Sequence, residues 1–303
     1  MDNARTAALV VNARSRRGQK LFRRACVALR SYDLKLDAHA VKNPKDLDRV
    51  AKAALAKRPD LLILGGGDGT MSGLVDYLVG TGTILGVLPF GTANSFARTL
   101  GLPLDVDGAC EVIATGTPRR IDLGMIDRDY FANAASIGIA PQIAETVPHN
   151  LKKVLGRLGY LSWAAIQYVK FKPFWLTVDT GKGPQRLKVV EVRIANGRYH
   201  GGVELMEAAE IDGGDIVIEA VRGHFKRRLI ASWVSSLLRL EARRDEIVVF
   251  RGQSIRIITE PPLPISIDGE VLAHTPVTAR VAPAIIQVMA PAEDSPAGTA
   301  QKP

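Results

Sequence analysis

Cysteine is scarce in this 303-residue chain: only Cys26 and Cys110 occur, far apart and without metal-ligand or redox spacing. That excludes a disulfide framework and reads as two small core residues of a reduced, cytoplasmic protein. No apolar run approaches the roughly 20 residues of a membrane span. The opening MDNARTAALVVNARS carries an acid early and a short apolar stretch, so it reads as a first strand rather than a signal peptide. His39, His149, His200, His224 and His274 show no ligand spacing, and His200 is expected to be structural. Zinc-finger, basic-zipper and RNA-binding-sheet signatures are missing, which argues against a nucleic-acid partner. There is no internal repeat.

What is present is positive charge. Lys and Arg number 40 against 31 Asp and Glu, a formal charge of +9 that calls for an anionic partner. Anionic lipid headgroups and polyphosphates remain as candidates. A hydrophobic content of 47% with 23% charged residues is an ordinary globular balance. The length allows two domains at about 150 residues each. The end of the chain, 291–303, is rich in small, polar and Pro residues and is expected to stay unfolded.

Strands at 6–11, 34–41, 61–64 and 84–88 alternate with helical spacing over 18–32, 44–57 and 70–79. Strands apolar on both faces and separated by helices indicate a parallel sheet covered on both sides. This is a doubly wound α/β domain over 1–125, with ligands expected beyond the carboxyl ends of its strands. From about Ile121 strands dominate, at 187–195, 216–221, 247–250, 255–258 and 277–281. Turn signals stand at Asn196-Gly197, Asp212-Gly213-Gly214 and Asp268-Gly269. Val190, Val192 and Ile194 should face one way, with Glu191 and Arg193 facing the other. The second domain, 126–290, is therefore β-sandwich-like, with helices near 151–169 and 225–240 and a last strand that is a candidate to return to the first domain.

Leu61-Leu62-Ile63-Leu64 runs straight into Gly65-Gly66-Gly67-Asp68-Gly69-Thr70. Glycine there permits φ > 0 and a close backbone approach, so successive amides at a helix N-terminus can hold an anion such as phosphate. A Walker loop is excluded because no Lys-Ser or Lys-Thr closes the glycines. The dinucleotide fingerprint is excluded because Thr70 stands where its third glycine belongs. A second loop, PFGTANSFA over 89–97, follows the next strand and leads to a helix capped by Asn94 or Ser95. A third, cationic loop is NARSRRG over 12–18. Three converging loops describe a polyphosphate site.

GGGDGT followed by PFGTANSFARTLGLP resembles the catalytic domain of the diacylglycerol kinase superfamily, which includes bacterial lipid kinases and sphingosine and ceramide kinases. The likeness continues through RIDLG at 120–124, FANAASIG at 131–138, ANGRY at 195–199 and IDGE at 267–270. It implies a nucleotide-binding α/β domain and a β-rich second domain, with catalysis in the cleft between them. It also implies an ATP-dependent lipid kinase acting on a lipid hydroxyl such as that of diacylglycerol, with Mg2+ as cofactor. Nucleotide contacts are implied for Asn12 and Ser15, for Gly66, Gly67, Asp68, Gly69, Thr70, Met71 and Ser72, and for Gly91, Thr92 and Asn94. Asp68 would organise magnesium and phosphates, Asp122 would join that polar network, and Glu270 would take the proton from the lipid hydroxyl. An NAD kinase shares the GGDGT loop, but PFGTAN, NGRY and IDGE favour the lipid branch. A lipid- or nucleotide-binding relative without turnover is the third alternative.

Three positions depart from the commoner family pattern. Ser95 stands where many members carry an aspartate, Val41 where some have a nucleotide-binding threonine, and Gly213 where some have an acid that binds a second, structural magnesium. Asp212 and Asp215 remain as candidate ligands for that ion. The segment HNLKKVLGRLGYLSWAAIQYVKFK, 149–172, carries Lys152, Lys153, Arg157, Lys170 and Lys172 and no acid. It is a candidate amphipathic face for docking at the inner surface of a membrane. Oligomeric state is not legible in the sequence.

Overall fold

The computed structural model describes residues 4–146, 163, 166–223 and 247–292. The helix expected over 225–240, most of the basic segment 149–172 and the tail from 293 lie outside the described residues. The chain divides into two units, one of Met1–Leu123, Tyr199–Gly202 and Ala282–Pro303, the other of Gly124–Arg198 and Val203–Val281.

The first unit opens with β1 (Thr6–Asn12), α1 (Arg16–Arg30), β2 (Lys35–Val41), α2 (Leu47–Leu55), β3 (Leu61–Gly66) and α3 (Asp68–Val75). It continues through β4 (Ile84–Pro89), α4 (Ser95–Thr99) and α5 (Val106–Thr115). The strands lie in the order β4-β3-β1-β2, all parallel. Helices α1 and α5 cover one face, where Leu29, Ala109 and Ile113 pack with Leu9, Leu61 and Ile63. The alternate residues Val10, Leu62 and Leu64 are fully buried as well, which is why these strands read as unbroken apolar runs. Each such side chain contributes about 2 kcal/mol by leaving water.

Ser15 caps α1 by accepting the Gly18 N–H at 3.0 Å. Helix α5 has no counterpart among the helices expected from sequence; Asp105 caps it by accepting the Gly108 N–H at 2.9 Å. Cys26 and Cys110 sit in the same core. Burial pushes the Cys110 thiol up to about 12, so it is a small apolar residue rather than a nucleophile.

The remaining elements begin with β5 (Thr117–Ile126), β6 (Asp129–Phe131), β7 (Ala134–Gly138), α6 (Ile139–Thr146), β8 (Phe174–Asp179) and β9 (Pro184–Ala195). After β10 (Tyr199–His200) and β11 (Val203–Glu204) come β12 (Ile216–Arg222), β13 (Ile247–Gly252), β14 (Ser254–Glu260), β15 (Pro264–Ile267), β16 (Glu270–His274) and β17 (Val277–Ala290). In the second unit the antiparallel order is β16-β15-β7-β9-β8-β14, with β12 also on β9 and β13 on β12. Ile137, Val178, Val192, Ile194, Ile218 and Ile257 fill its core. The later part of β17 belongs to the first unit, where Val288 pairs in parallel with Leu85 of β4.

Along β9, Val190, Val192 and Ile194 lie together in the core, as expected, with Glu191 and Arg193 on the opposite face. Arg193 does not face solvent: it is 4% exposed and donates from Nη2 to Glu191 Oε2 at 2.9 Å. Glu219, its register partner on β12, lies 3.8 Å from Nη1. Burial pushes the Glu219 carboxyl up to about 7, against the pull of Arg193. This second face is covered too, with Met206 and Ala209 packed on Ala134, Ala195 and Val217.

Candidate functional site

The end of β3 differs from its sequence reading in where it stops and in why it is glycine. The strand runs on to Gly66, and α3 begins at Asp68 rather than Thr70. Gly65, Gly66, Gly67 and Gly69 are absent from the positive-φ glycines, so left-handed backbone is not their purpose. Space is, for the first three; a Cβ on Gly69 would meet nothing within 4 Å. A Cβ on Gly65 would lie 2.7 Å from Val11 Cγ2 and 3.0 Å from the Phe90 ring. On Gly66 it would collide with the Thr70 side chain, and on Gly91 it would come within 2.5 Å of Gly67 Cα. The two loops thus cross backbone against backbone at Gly67 and Gly91.

Gly67 is the N-cap of α3 and offers no side chain to the helix. The amides of Thr70 and Met71 both turn back to Gly67 O, at 2.9 and 3.2 Å. The first-turn amides of Asp68 and Gly69 have no intrahelical acceptor, and the helix dipole places partial positive charge there. Thr70 and Met71 have buried side chains, so of the expected nucleotide contacts these two support the loop from beneath. Ser72 is half-buried on the same helix. Beside Gly66 and Gly67 lies a pocket of about 440 Å³, lined further by Asn12, Arg14, Ser15, Gly18 and Phe90. That volume falls within the range of small-molecule sites.

Asp68 accepts the Phe96 N–H through Oδ1 at 3.1 Å, tying the start of α3 to α4. No contact engages its Oδ2 among the described residues. One such carboxylate oxygen suits magnesium, which takes one or two carboxylates and fills its shell with phosphate oxygens and water. In the second loop Thr92 is exposed, whereas Asn94 is buried in a left-handed conformation and spends its side chain locally. Its Oδ1 accepts the Gly91 N–H at 2.8 Å, and its Nδ2 donates to Pro89 O and Gly91 O. Asn94 and Gly91 therefore shape the loop, and Asn94 does not cap α4 through its side chain. The Ser95 hydroxyl, 2% exposed, accepts the Gly202 N–H at 3.0 Å. Asp122 is buried and accepts the Ala284 N–H at 2.7 Å, an anchor for β17.

In the second unit three separated motifs prove to be one cluster. Asp268, at φ 45° in the turn before β16, accepts the N–H groups of Ala132, Asn133 and Ala134 at 2.9, 3.3 and 3.1 Å. Asn133 O accepts from Asn196 and Gly197 at 2.9 and 3.0 Å, and Asn196 Nδ2 donates to Ala132 O at 3.1 Å. Glu270, two residues beyond Asp268, is the exposed first residue of β16. Sequence reasoning missed Asp268 as an anchor; the Asp-Gly pair signals only the turn, and its amide partners are 134 to 136 residues away.

The second cation site does not fit. Asp215 is held by Arg251 through both oxygens, Oδ2 to Nε at 2.9 Å and Oδ1 to Nη2 at 3.3 Å. Glu210 pairs with Arg198 at 3.5 Å. Among the described residues no group of three or more His, Cys, Asp or Glu gathers that would hold a metal ion. With Gly213 contributing no carboxylate, Asp212 and Asp215 do not make a magnesium shell.

The family profile described as the diacylglycerol kinase catalytic domain matches residues 6–126, and that described as the YegS C-terminal NAD kinase beta sandwich-like domain matches 133–290. The chain belongs to the diacylglycerol kinase superfamily. A protein of Chromohalobacter salexigens named probable lipid kinase YegS-like is 31% identical over 248 residues, 80% of each chain. A diacylglycerol kinase of Staphylococcus epidermidis is 36% identical over 149 residues, 47% of each chain. A crystal structure of a diacylglycerol kinase from Bacillus anthracis matches with a TM-score of 0.76 at 23% identity, covering 98% of this chain and all of that one, and shows the shared fold.

Proposed function

We propose that this lipid-kinase family member transfers the γ-phosphoryl group of ATP to the hydroxyl of a lipid such as diacylglycerol. The observation that carries the reading is the end of β3, where glycines leave no side chain between the pocket and the first amides of α3. Phosphoryl transfer needs positioning and charge neutralisation more than covalent help from the protein. The amides of Gly67, Asp68 and Gly69, with Asn12 and Ser15, hold the phosphates; Asp68 Oδ2 holds the magnesium. Magnesium, when bound, neutralises charge on the phosphate oxygens. Glu270 accepts the proton as the lipid hydroxyl oxygen bonds to the γ-phosphorus and the bond to the bridging oxygen of ADP breaks.

Access to a lipid is supported by the last described turn of the basic segment. Ile166 and Val169 are 45% and 70% exposed, and Lys170 and Lys172 are exposed beside them. Apolar residues flanked by cations suit the surface of an anionic membrane. No helix among the described residues is long and apolar enough to cross one.

The test is incubation of the purified protein with γ-labelled ATP, magnesium and mixed lipid vesicles, alone and with NAD. Label should enter a lipid, and Asp68→Asn and Glu270→Gln should abolish transfer with the fold intact. Label in NADP would shift the activity to the related nucleotide kinases. Absence of transfer to any acceptor, with ATP bound, would leave a binding protein without turnover.

A further inference from the structure

Arg14 is the one cationic side chain lining the pocket at the ends of β1 and β3. Its neighbours fix the loop around it. The Arg14 N–H donates to Asn12 Oδ1 at 3.4 Å, and Ser15 Oγ accepts from Gly18 at 3.0 Å. Arg14 itself is exposed, and no acid among the described residues pairs with its guanidinium. A cation held at the mouth of a pocket, on a loop pinned by its own polar side chains, is poised for a ligand rather than for the fold.

The surrounding charge points the same way. Arg16 and Arg17 open α1, and its first turn contains no acid. Cations at a helix N-terminus oppose the helix dipole, and three arginines in four positions repel one another. Helix stability would favour the reverse arrangement. Local choices that conflict with the fold mark functional sites. Here they raise a positive potential beside the pocket. The amides at the start of α3 carry only partial charge, and one magnesium offsets only part of a triphosphate. A guanidinium adds a full positive charge, held at every working pH.

We propose that Arg14 binds the phosphate chain of the nucleotide and gives the site its preference for a highly charged polyphosphate. The inference rests on the ATP reading above and assigns this preference to one residue of the first loop. Arg14 donates to the phosphate oxygens and takes no proton from them, so its part is binding and orientation.

The experiment measures MgATP affinity calorimetrically, without lipid, for wild type, Arg14→Ala and Arg14→Lys at two ionic strengths. Arg14→Ala should bind MgATP about tenfold more weakly and lose part of the salt dependence of binding, since a charge contact has been removed. Arg14→Lys should recover most of the affinity, and thermal stability should match wild type in both variants. Affinity within twofold of wild type in Arg14→Ala would overturn the proposal. So would equal losses in Arg14→Ala and Arg14→Lys, because loop shape and not charge would then be responsible. A wild-type protein that takes up no ATP is a different failure, and removes the nucleotide reading itself.

Discussion

Replacing Glu219 by Gln should make the protein less sensitive to pH between about 4.5 and 7. Glu219 is 6% exposed on β12, opposite Arg193, and burial raises its carboxyl from 4.5 to about 7. An acid with a raised folded value holds a proton that the unfolded chain has released, so it favours the folded state at low pH. That stability is fully present below the unfolded value and is lost as pH rises through the folded one. At ~1.4 kcal/mol per unit, the loss is about 3 kcal/mol across the window. Asp37 and Asp60, held below the usual carboxylate range by Lys57 and by Thr6 respectively, act in the opposite sense at lower pH. The difference between the two proteins therefore isolates Glu219. Urea unfolding at half-unit steps from pH 4.5 to 8 should show wild type losing stability relative to Glu219→Gln as pH rises. A difference that stays constant with pH would refute the assignment of a buried, protonating carboxyl.

Gly65→Ala should destabilise by about 1–3 kcal/mol through overpacking against Val11 and Phe90, and should weaken ATP binding because Phe90 lines the pocket. Thermal melts and an ATP titration on the same variant check both halves. Asp268→Ala should cost roughly 3 kcal/mol in chemical unfolding, since three backbone donors lose a charged acceptor. Glu270→Gln, at an exposed site, should leave stability within about 0.5 kcal/mol of wild type. Chelation by EDTA without nucleotide should leave the melting temperature unchanged, because Arg251 already neutralises Asp215; a downward shift would restore a structural metal to that loop.

The legible parts of the fold are those where local pattern and burial agree. Leu61 to Leu64 announces a parallel strand because both faces are covered. The order of motifs announces the two-domain family fold. Helix α5 is less legible because its core positions Ala109 and Cys110 are small and Gly108, a poor helix former, stands just before them, although Val106, Ala109, Cys110 and Ile113 keep helical spacing. The alternation of β9 tells which side Arg193 faces but not that the side is buried, because the cover, Met206 and Ala209, comes from a later segment of the chain. At the site, composition marks Gly65 to Gly67 as special. It cannot say that crowding by Val11, Phe90, Thr70 and Gly91, rather than backbone conformation, requires them. The task of Asp268 and the pairing of Asp215 with Arg251 depend on partners distant in sequence, and pattern does not carry such contacts.

The most direct measurement is titration of isotope-labelled protein with MgATP while following backbone amide resonances. The amides of Gly67, Asp68 and Gly69 should shift and saturate together, at concentrations no higher than millimolar. Saturating ATP with those three resonances unmoved would show that phosphate is not held at the start of α3, and the account of the site would be wrong.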